Sequence, residues 1–530
     1  MKAFSALLDG LVFTPGRNAK IRLLTEYFRT TPDPDRGYGL AVLADTLSFA
    51  HAKPSLIRKL ANERVDSELY ALSYDYVGDL AETTALIWPE RGNGENPPPA
   101  PTLSEVVTRL SDASRGDVPE LTANWLDGLD ASGRYALLKV ITGGLRAGVS
   151  ARLTKVALAG YGSVSVNDIE EVWHGLSPPY VSMFAWLEGR ADRPAIGDTP
   201  VFRPLMLANP LDEKEFSTLE PGDFLAEWKW DGIRVQLAGR ADDGRIFSRG
   251  ADDITGSFPD VAEHLTFDAV LDGELLVVRD GEVAPFNDLQ QRLGRKTVSA
   301  AKRGQYPCHV RLYDILLEDS EDLRACPFAE RRARLEAWFE RHRPERMDVS
   351  PLVDFDDWAA LSRIRATTRA AGIEGLMLKR KDSPYVAGRP KGPWFKLKRD
   401  PLMVDCVLMY AQRGHGKRSS FYSDFTFGCW RANGSLAPEL VPVGKAYFGF
   451  TDKELADLDR WVRNNTTERF GPVRAVSRGL VLEIAFDSVH PSSRHKSGVA
   501  MRFPRVHRIR WDKPVAEADK VEFLEGLIEG

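Results

Sequence analysis

The spacing of hydrophobic residues changes near residue 196. Before that point, apolar side chains recur three and four positions apart in segments 56–65, 103–114, 132–145 and 150–161, which is the pattern of amphipathic helices. Alternation of apolar and polar residues, the mark of a half-buried strand, is scarce there. A tract rich in Gly and Pro at 91–101 is predicted to form an exposed loop, because helical patterns resume on both sides. The pattern therefore predicts a mainly helical domain over residues 1–195.

Beyond a Pro-rich, aperiodic stretch at 190–210, which is typical of an interdomain connection, the pattern becomes that of strands. Alternating runs occupy 224–239, 269–281, 310–318 and 373–382, and a helical pattern at 328–342 lies between them. This combination predicts an α+β domain over 196–400. Residues 401–530 are strand-rich with Gly and Asn turns, and they predict a small β-barrel.

The composition allows several such domains. The chain has 530 residues, of which 43% are hydrophobic and 28% charged, a balance that excludes a disordered or fibrous protein. No stretch reaches the roughly 20 apolar residues of a membrane span. The four cysteines include no CxxC pair, so we expect neither a zinc ribbon nor a disulfide framework. These features predict a protein of the reducing cytoplasm without membrane contact.

Charged residues at strand ends are the first candidates for chemistry. In the run FLAEWKW, which begins at Phe224, the two-residue period of a strand places Glu227 and Lys229 on one face. Asp231-Gly232 follows as a turn, so Lys229 lies where a backbone can approach a ligand. A surface salt bridge beside a hairpin turn would also explain this segment when it is taken alone.

The same arrangement recurs in three later segments. Asp272 and Glu274 share a face of one predicted strand, Glu374 follows a Gly-containing turn, and Lys396 and Lys398 share a face of another strand. Acids able to hold Mg²⁺ and several lysines are the components of phosphoryl or nucleotidyl transfer, in which catalysis is mostly positioning and charge neutralisation. A sheet with one hydrated face explains each charge singly but not their co-occurrence.

In order and spacing, these segments resemble the nucleotidyltransferase motifs of the ATP-dependent DNA ligases, over nearly the whole chain. The matching segments are KWDGIR (229–234), SRGADDITGSFPD (248–260), DGELLV (272–277), LYDIL (312–316), EGLMLK (374–379), FKLKR (395–399) and RFPRVHRIRWDK (502–513). Tyr313 stands where phenylalanine is commoner, which preserves the stacking surface. Segment 139–159 is similar to the DNA-binding domain that precedes the catalytic core in archaeal and eukaryotic ligases.

The resemblance implies roles for individual residues. Lys229 would attack the α-phosphate of ATP and hold AMP, which then passes to the 5′-phosphate of a nick before the 3′-hydroxyl seals the strand. Glu227 would accept a hydrogen bond from the adenine amino group, and Tyr313 would stack on the ring. Glu274 would address the ribose, and Glu274 and Glu374 would hold Mg²⁺ or Mn²⁺. Other contacts to the nucleotide would come from Arg234, Arg249, Arg389, Lys396, Lys398, Arg502, Arg505 and Lys513.

One candidate for DNA contact is the loop GGLRAGVS at 143–150. Its glycines permit close backbone approach, and Arg146, Ser150 and Arg152 are predicted phosphate contacts. Residues 139–155 hold four Lys or Arg and no acid, although the net charge of the whole chain is −5. A loop that merely caps a helix is the alternative.

A second candidate is the loop RGHGKRSS at 413–420, which places Lys417 and Arg418 among glycines. A solvated basic turn would have the same composition. Residues 396–418 hold six Lys or Arg against two acids, and residues 494–513 hold seven against one. Binding to DNA through such patches should weaken with salt, despite the acidic total.

The resemblance therefore predicts a multidomain ligase with an all-α DNA-binding domain (1–195), an α+β nucleotidyltransferase or adenylation domain (196–400) and a β-barrel OB-fold domain (401–530). It would use ATP with Mg²⁺ or Mn²⁺ and act as a monomer on nicked duplex DNA in replication, recombination or repair. We expect it in the cytoplasm, on the nucleoid in a bacterium. An RNA ligase or a GTP-using capping enzyme shares the lysine motif but is not expected to carry the helical domain. A silent DNA clamp would not need Lys229 or Glu274.

Overall fold

The computed structural model describes residues 1–90, 98–197, 199–240, 243–295, 297–319, 321–367, 372–414, 420–433, 436–493 and 495–528. The chain divides into two compact units. One comprises Met1–Trp358 and Leu376–Leu397, and the other comprises Ala359–Gly375 and Lys398–Gly530. No helix in the described part of the chain is long and apolar enough to span a bilayer.

The first unit begins with a helical region. Its helices are α1 (Lys2–Phe13), α2 (Arg17–Thr30), α3 (Asp35–Leu43), α4 (Pro54–Arg64), α5 (Ser67–Val77), α6 (Leu80–Ile87), α7 (Leu103–Asp112), α8 (Val118–Gly128), α9 (Ala131–Thr142), α10 (Ala151–Gly162), α11 (Val166–Trp173) and α12 (Val181–Leu187). The four segments with helical spacing coincide with α4, α7, α9 and α10, which confirms that prediction. Asp79, Thr102, Asp130 and Ser150 cap the starts of α6, α7, α9 and α10 by accepting backbone hydrogen bonds that the first turn leaves unmade. The apolar helix faces meet in one buried cluster.

The chain then forms two sheets. The strands are β1 (Asn209–Pro210), β2 (Phe224–Trp230), β3 (Ile233–Arg240), β4 (Asp243–Ser248), β5 (Ala269–Arg279), β6 (Glu282–Val283), β7 (Cys308–Glu318), β8 (Glu321–Asp322), β9 (Met347–Val349), β10 (Leu352–Val353), β11 (Ile373–Arg380) and β12 (Trp394–Lys398). The helices are α13 (Pro259–Ala262), α14 (Phe286–Gln290), α15 (Ala300–Gln305), α16 (Phe328–His342) and α17 (Trp358–Thr367). One sheet has the order β1-β12-β11-β2-β10, and the other has the order β4-β3-β5-β7-β8, with β6 on β5 and β9 on β7.

Alternation of side chains along the strands separates two hydrophobic layers. Val235 of β3 packs in one buried cluster with Trp338 of α16. Ala238, on the opposite face of β3, packs in a second cluster with Trp394 of the other sheet. Arg234 shares the face of Ala238, so it points into the space between the two sheets.

The second unit carries the strand-rich end of the chain. Its strands are β13 (Leu402–Arg413), β14 (Tyr422–Asn433), β15 (Leu436–Ala446), β16 (Thr466–Phe470), β17 (Val473–Val476), β18 (Val481–Phe486), β19 (Ser488–Pro491), β20 (Val499–Arg502) and β21 (Arg505–Arg510), and its helices are α18 (Asp452–Asn464) and α19 (Val521–Glu525). The main sheet has the order β15-β14-β13-β17-β16, and β18 pairs with both β13 and β21. The predicted strands are present, whereas closure into a barrel stays a prediction.

Helix α18 (Asp452–Asn464) lies in the region that was predicted to be strand-rich. Its start carries a capping box in which the side chains of Thr451 and Glu454 each accept a hydrogen bond from the other residue's backbone N–H. Leu455, Leu458 and Val462 recur at helical spacing and are buried in the core of the second unit. The helical signal was therefore present in the sequence, inside a segment otherwise rich in strands.

Candidate nucleotidyl-transfer site

Lys229 is the penultimate residue of β2, and the end of this strand is fixed by its neighbours. The guanidinium of Arg311 lies 4.1 Å from the ring centre of Trp230. The turn that follows needs Gly232, because a Cβ atom there would lie 2.4 Å from the carbonyl oxygen of Leu275. Lys229 is half-buried, and it occupies the strand end at which the turn approaches β5.

Glu227 lies two residues earlier on the same face of β2, and its carboxylate is enclosed. The residue is 1% exposed. Its Oε2 atom lies 2.7 Å from Nζ of Lys379, and its Oε1 atom accepts a hydrogen bond from Nη1 of Arg332 at 3.1 Å. Each carboxylate oxygen can accept two hydrogen bonds. Glu227 could therefore accept a further hydrogen bond, such as one from an adenine amino group.

Lys379 connects Glu227 to the predicted stacking residue. Its ammonium lies 4.4, 4.7 and 4.6 Å from the ring centres of Tyr313, Phe328 and Trp394, respectively, distances that allow attraction between a cation and an aromatic face. Burial lowers the pKa of Lys379, and the ion pair with Glu227 opposes that shift. The lysine therefore holds the carboxylate and the tyrosine ring in one place.

Arg234 is anchored on the opposite sheet by a second buried network. Its guanidinium donates to Asp272 at 2.7 Å and to the hydroxyl of Tyr385 at 3.1 Å. Tyr385 in turn donates to Asp272 at 2.5 Å, and burial raises the pKa of Tyr385 well above its ordinary value, with Asp272 adding to the rise. Both bonds end on Oδ2 of Asp272, and its Oδ1 atom is buried without a hydrogen-bond partner among the described residues. Glu274 is the more accessible acid of this strand.

The strand register brings further predicted residues to the same space. Glu274 lies directly opposite Arg234 on β3 and opposite Arg311 on β7. Lys396 stands two residues after Trp394 on β12, so both side chains point to the same side of that sheet. Arg234 lies 5.8 Å from the ring centres of both Tyr313 and Trp394. Residues from distant segments therefore converge between the two sheets.

Two further predicted nucleotide contacts are exposed side chains. Arg249 is exposed in the turn after β4. Arg389 is also exposed, next to Gly388, whose carbonyl oxygen accepts a hydrogen bond from the backbone of Leu207 at 2.7 Å. Their roles stay predictions.

The second unit holds the remaining predicted nucleotide contacts and pairs several of them with acids. Lys398 is hydrogen-bonded to Glu374. Arg505 donates to Asp487 at 2.9 Å. Two further residues complete this set: Lys513 donates to Asp405 at 2.6 Å, and Arg502 ends strand β20. The ion pair with Asp405 raises the pKa of Lys513.

The loop before α10 was predicted either to contact DNA or to cap a helix, and it has features of both. Ser150 caps α10, since its hydroxyl accepts a hydrogen bond from the backbone of Leu153 at 3.2 Å. Arg146 and Arg152 are 69% and 70% exposed, and their nearest acids are 3.6 and 3.8 Å away. The loop thus caps a helix and presents two cations to solvent. Lys417 and Arg418, in the other predicted DNA loop, lie outside the described residues.

The acids of the site do not form a ready-made metal cage. Among the residues that the structure describes, no group of three or more His, Cys, Asp or Glu side chains could hold a metal ion. Magnesium usually takes only one or two carboxylates from the protein, with water and phosphate oxygens completing its shell. Glu274 is partly exposed, and the side chain of Glu374, in the second unit, is 21% exposed, so each carboxylate is accessible to an ion.

Lys379, Arg332 and Tyr385 were not among the predicted site residues. Lys379 closes the quoted segment EGLMLK, and a lysine inside a buried strand was an available signal. Arg332 is one of several arginines of α16, and its local sequence does not distinguish it from exposed ones such as Arg341. Tyr385 lies in an irregular segment, where periodicity gives no information.

Comparisons with known proteins identify the family of this chain. Residues 205–398 match the family of the ATP dependent DNA ligase domain, and residues 418–513 match the ATP dependent DNA ligase C terminal region. A probable DNA ligase of Koribacter versatilis is 32% identical over an alignment 576 residues long. The alignment covers 99% of this chain and 96% of that protein. A probable DNA ligase of an Anaeromyxobacter species is 31% identical, with 98% and 96% covered.

A solved structure named Pmar-Lig_PreS3 shares the fold of this chain. The TM-score is 0.54 at 16% identity, and the match covers 96% of this chain and 99% of the other. The two domain families together span more than half of the sequence, and relatives above 30% identity match it over nearly its full length. The chain therefore belongs to the ATP-dependent DNA ligases.

Proposed function

We propose that the side-chain nitrogen of Lys229 is the nucleophile of this ligase. It attacks the α-phosphorus of ATP, the bond from that phosphorus to the bridging oxygen breaks, pyrophosphate leaves, and AMP stays on the lysine through a P–N bond. The nitrogen must attack as the neutral amine, so its proton leaves before the bond forms. AMP then passes to the 5′-phosphate of a nick in duplex DNA, and attack by the 3′-hydroxyl releases AMP and seals the strand.

The convergence of side chains between the two sheets carries this proposal. Glu227, Arg234 and Tyr313 come from three different strands. Lys379 links Glu227 to the ring of Tyr313, and Arg234 lies 5.8 Å from the centre of that ring. Lys229 follows Glu227 on the same face of β2. Tyr313 offers a ring for adenine to stack on, and Glu227 offers an acceptor for the adenine amino group. Nε of Arg234 is buried without a hydrogen-bond partner among the described residues, so a ribose or phosphate oxygen could satisfy it.

Glu274 and Glu374 would hold the magnesium ion. Bound to the triphosphate, the ion would supply positive charge that neutralises the phosphate oxygens during transfer. Lys396 and Lys398 would add positive charge from the protein, and Arg502, Arg505 and Lys513 would contact the phosphates from the C-terminal domain. Arg502, Arg505 and Lys513 belong to the basic segment 494–513.

The helical domain would bind the DNA duplex. Arg146 and Arg152 are the exposed cations of its candidate loop. We propose three domains, at 1–195, 196–400 and 401–530, in a monomer that acts on nicked DNA. Each proposed domain has its own buried hydrophobic cluster or pair of clusters, which supports this division.

A nucleotide comparison tests the proposed reaction. The protein is incubated with Mg²⁺ and with ATP, GTP or NAD, each labelled at the phosphate that would be transferred, and sealing of a nicked duplex is followed in parallel. We expect ATP alone to label the protein and support sealing, through a bond that acid breaks and base does not. Labelling by GTP would instead indicate a capping-type activity and would contradict the proposal.

The DNA-binding loop yields a separate prediction. Changing Arg146→Ala together with Arg152→Ala should raise the dissociation constant for a nicked duplex at least about fivefold, because two phosphate contacts are lost. The slope of log affinity against log salt concentration should become shallower by about 1.8, since each neutralised phosphate contributes about 0.9. Self-adenylation should be unchanged. Fluorescence anisotropy at several salt concentrations measures both quantities.

A matched control uses two arginines elsewhere in the helical domain. Arg29 and Arg109 are 61% and 52% exposed, and among the described residues their ion pairs are with acids of their own helices. Changing both to alanine should leave the affinity and its salt dependence unaltered. Equal loss in the two double variants would show that general charge, rather than this loop, binds the DNA.

A further inference from the structure

The candidate DNA loop rests on two buried lysines from other parts of the helical domain. Lys20 of α2 is 8% exposed, and its ammonium donates to the carbonyl oxygen of Ala147. Lys139 of α9 is 3% exposed and donates to the carbonyl oxygen of Gly144 at 3.2 Å. Both ammonium groups therefore bind the inner side of the loop and turn these carbonyl oxygens away from solvent.

The backbone of the loop is built around these lysines. Gly144 and Gly148 have φ angles of +62°, which other residues seldom adopt. A Cβ atom at Gly148 would lie 2.5 Å from Nζ of Lys20. A side chain at position 148 would thus displace the ammonium, so glycine and lysine depend on each other here. In the sequence, Arg146 lies between Gly144 and Ala147, the two residues whose carbonyl oxygens the lysines bind.

The two lysines differ in their counter-charges. Lys139 lies 2.7 Å from Oδ2 of Asp79 in a buried ion pair. For Lys20, the described residues provide the carbonyl of Ala147 but no carboxylate within 4.0 Å. A buried ammonium without an opposite charge is costly, and an anion placed on the loop would offset that cost. DNA phosphate is the anion that the proposed function brings to this loop.

We propose that Lys20 is a positioning residue for the DNA-binding loop 143–150. Its ammonium holds the buried side of the loop in place, and its charge contributes to neutralising a DNA backbone phosphate that binds to the loop. The inference rests on the DNA-binding role proposed for the loop. Lys20 does not touch the nucleotide, so its effect is expected in nick binding and not in the first, DNA-independent transfer of AMP to the protein.

Three substitutions separate the charge of Lys20 from its hydrogen bond. Lys20→Met removes both, Lys20→Gln keeps a donor but removes the charge, and Lys20→Arg keeps both. We expect the Met and Gln variants to bind a nicked duplex about three- to tenfold more weakly, with a salt slope shallower by up to about 0.9. The Arg variant should stay within about twofold of the original protein, and all three should label with ATP normally.

A merely structural role would lower the melting temperature without changing the salt slope, and that result in the Gln variant would overturn the proposal. If the Met variant does not fold, the Gln variant decides.

Lys59→Met is the matched control, since Lys59 is 73% exposed on α4 and pairs with Glu63 of the same helix. If the Arg146 and Arg152 variant loses affinity while Lys20→Gln does not, only the inference about Lys20 fails. If neither variant loses affinity, the DNA-binding role of the loop itself is wrong.

Discussion

Lys229→Ala is expected to abolish labelling of the protein by ATP that carries label at its α-phosphate, with a loss of at least about 10⁴-fold in rate. The alanine side chain has no nucleophilic nitrogen to attack the α-phosphorus. Nick sealing that starts from ATP should be lost to the same extent. Gel electrophoresis of labelled protein, followed over time, measures the effect.

The step that follows AMP transfer provides an internal check on this variant. A nicked duplex that already carries AMP on its 5′-phosphate does not need the lysine adduct, so Lys229→Ala should still join it at a measurable rate. Lys214→Ala is the matched control, because Lys214 is exposed in a short helical turn of the same domain and should label normally. Persistent labelling of Lys229→Ala would contradict the assignment of the nucleophile.

Arg331→Met is expected to destabilise the nucleotidyltransferase domain by about 3–5 kcal/mol. Arg331 and Asp314 are both 0% exposed, and Nε and Nη2 of the arginine donate to the two carboxylate oxygens at 2.8 and 3.0 Å. The substitution leaves Asp314 buried without its partner, which is more costly than losing an exposed pair. For a domain of this size the melting temperature should fall by roughly 10 °C, as measured by calorimetry on the full chain.

A second change should restore much of that stability. Arg331→Met combined with Asp314→Leu removes both charges, and apolar replacements of a buried ion pair are often close to neutral. The exposed pair between Arg343 and Glu340 provides the control, because the two side chains are 72% and 66% exposed, and Arg343→Met should cost less than about 1 kcal/mol. If Arg331→Met destabilised the protein as little as Arg343→Met, burial would not be the reason for its cost.

The buried pair also bears on the nucleotide site. Asp314 follows Tyr313 directly in β7, and its carboxylate is held by an arginine of α16. The ion pair therefore fixes the part of β7 from which Tyr313 extends toward Lys379 and Arg234. Loss of the pair should weaken ATP binding as well as stability, and the double variant should recover both together.

Local pattern was sufficient to place most of the secondary structure. The two-residue period of FLAEWKW put Glu227 and Lys229 on one face, and β2 spans these residues. The helical spacing at 328–342 predicted α16 with the observed bounds. Such predictions succeed because backbone hydrogen bonding and the burial of one face depend on near neighbours in the chain.

The partners of the site residues could not be predicted in this way. Glu227 pairs with Arg332 and Lys379, which lie more than 100 residues further along the chain. Arg331 and Arg332 are buried, whereas Arg341, on the same helix, is 56% exposed. The residues next to an arginine in the sequence do not predict which face of its helix will pack against a sheet.

The sequence by itself determined the family resemblance, the order of the motifs and the strand that bears Lys229. Only the tertiary structure decided that Asp272 belongs to Arg234 and Tyr385, that Glu227 is enclosed by two cations, and that the DNA loop rests on Lys20. The physical reason is that periodicity records which face of an element is apolar, while a polar contact depends on which distant element packs against that face. A buried charge obtains its partner only when the chain has folded.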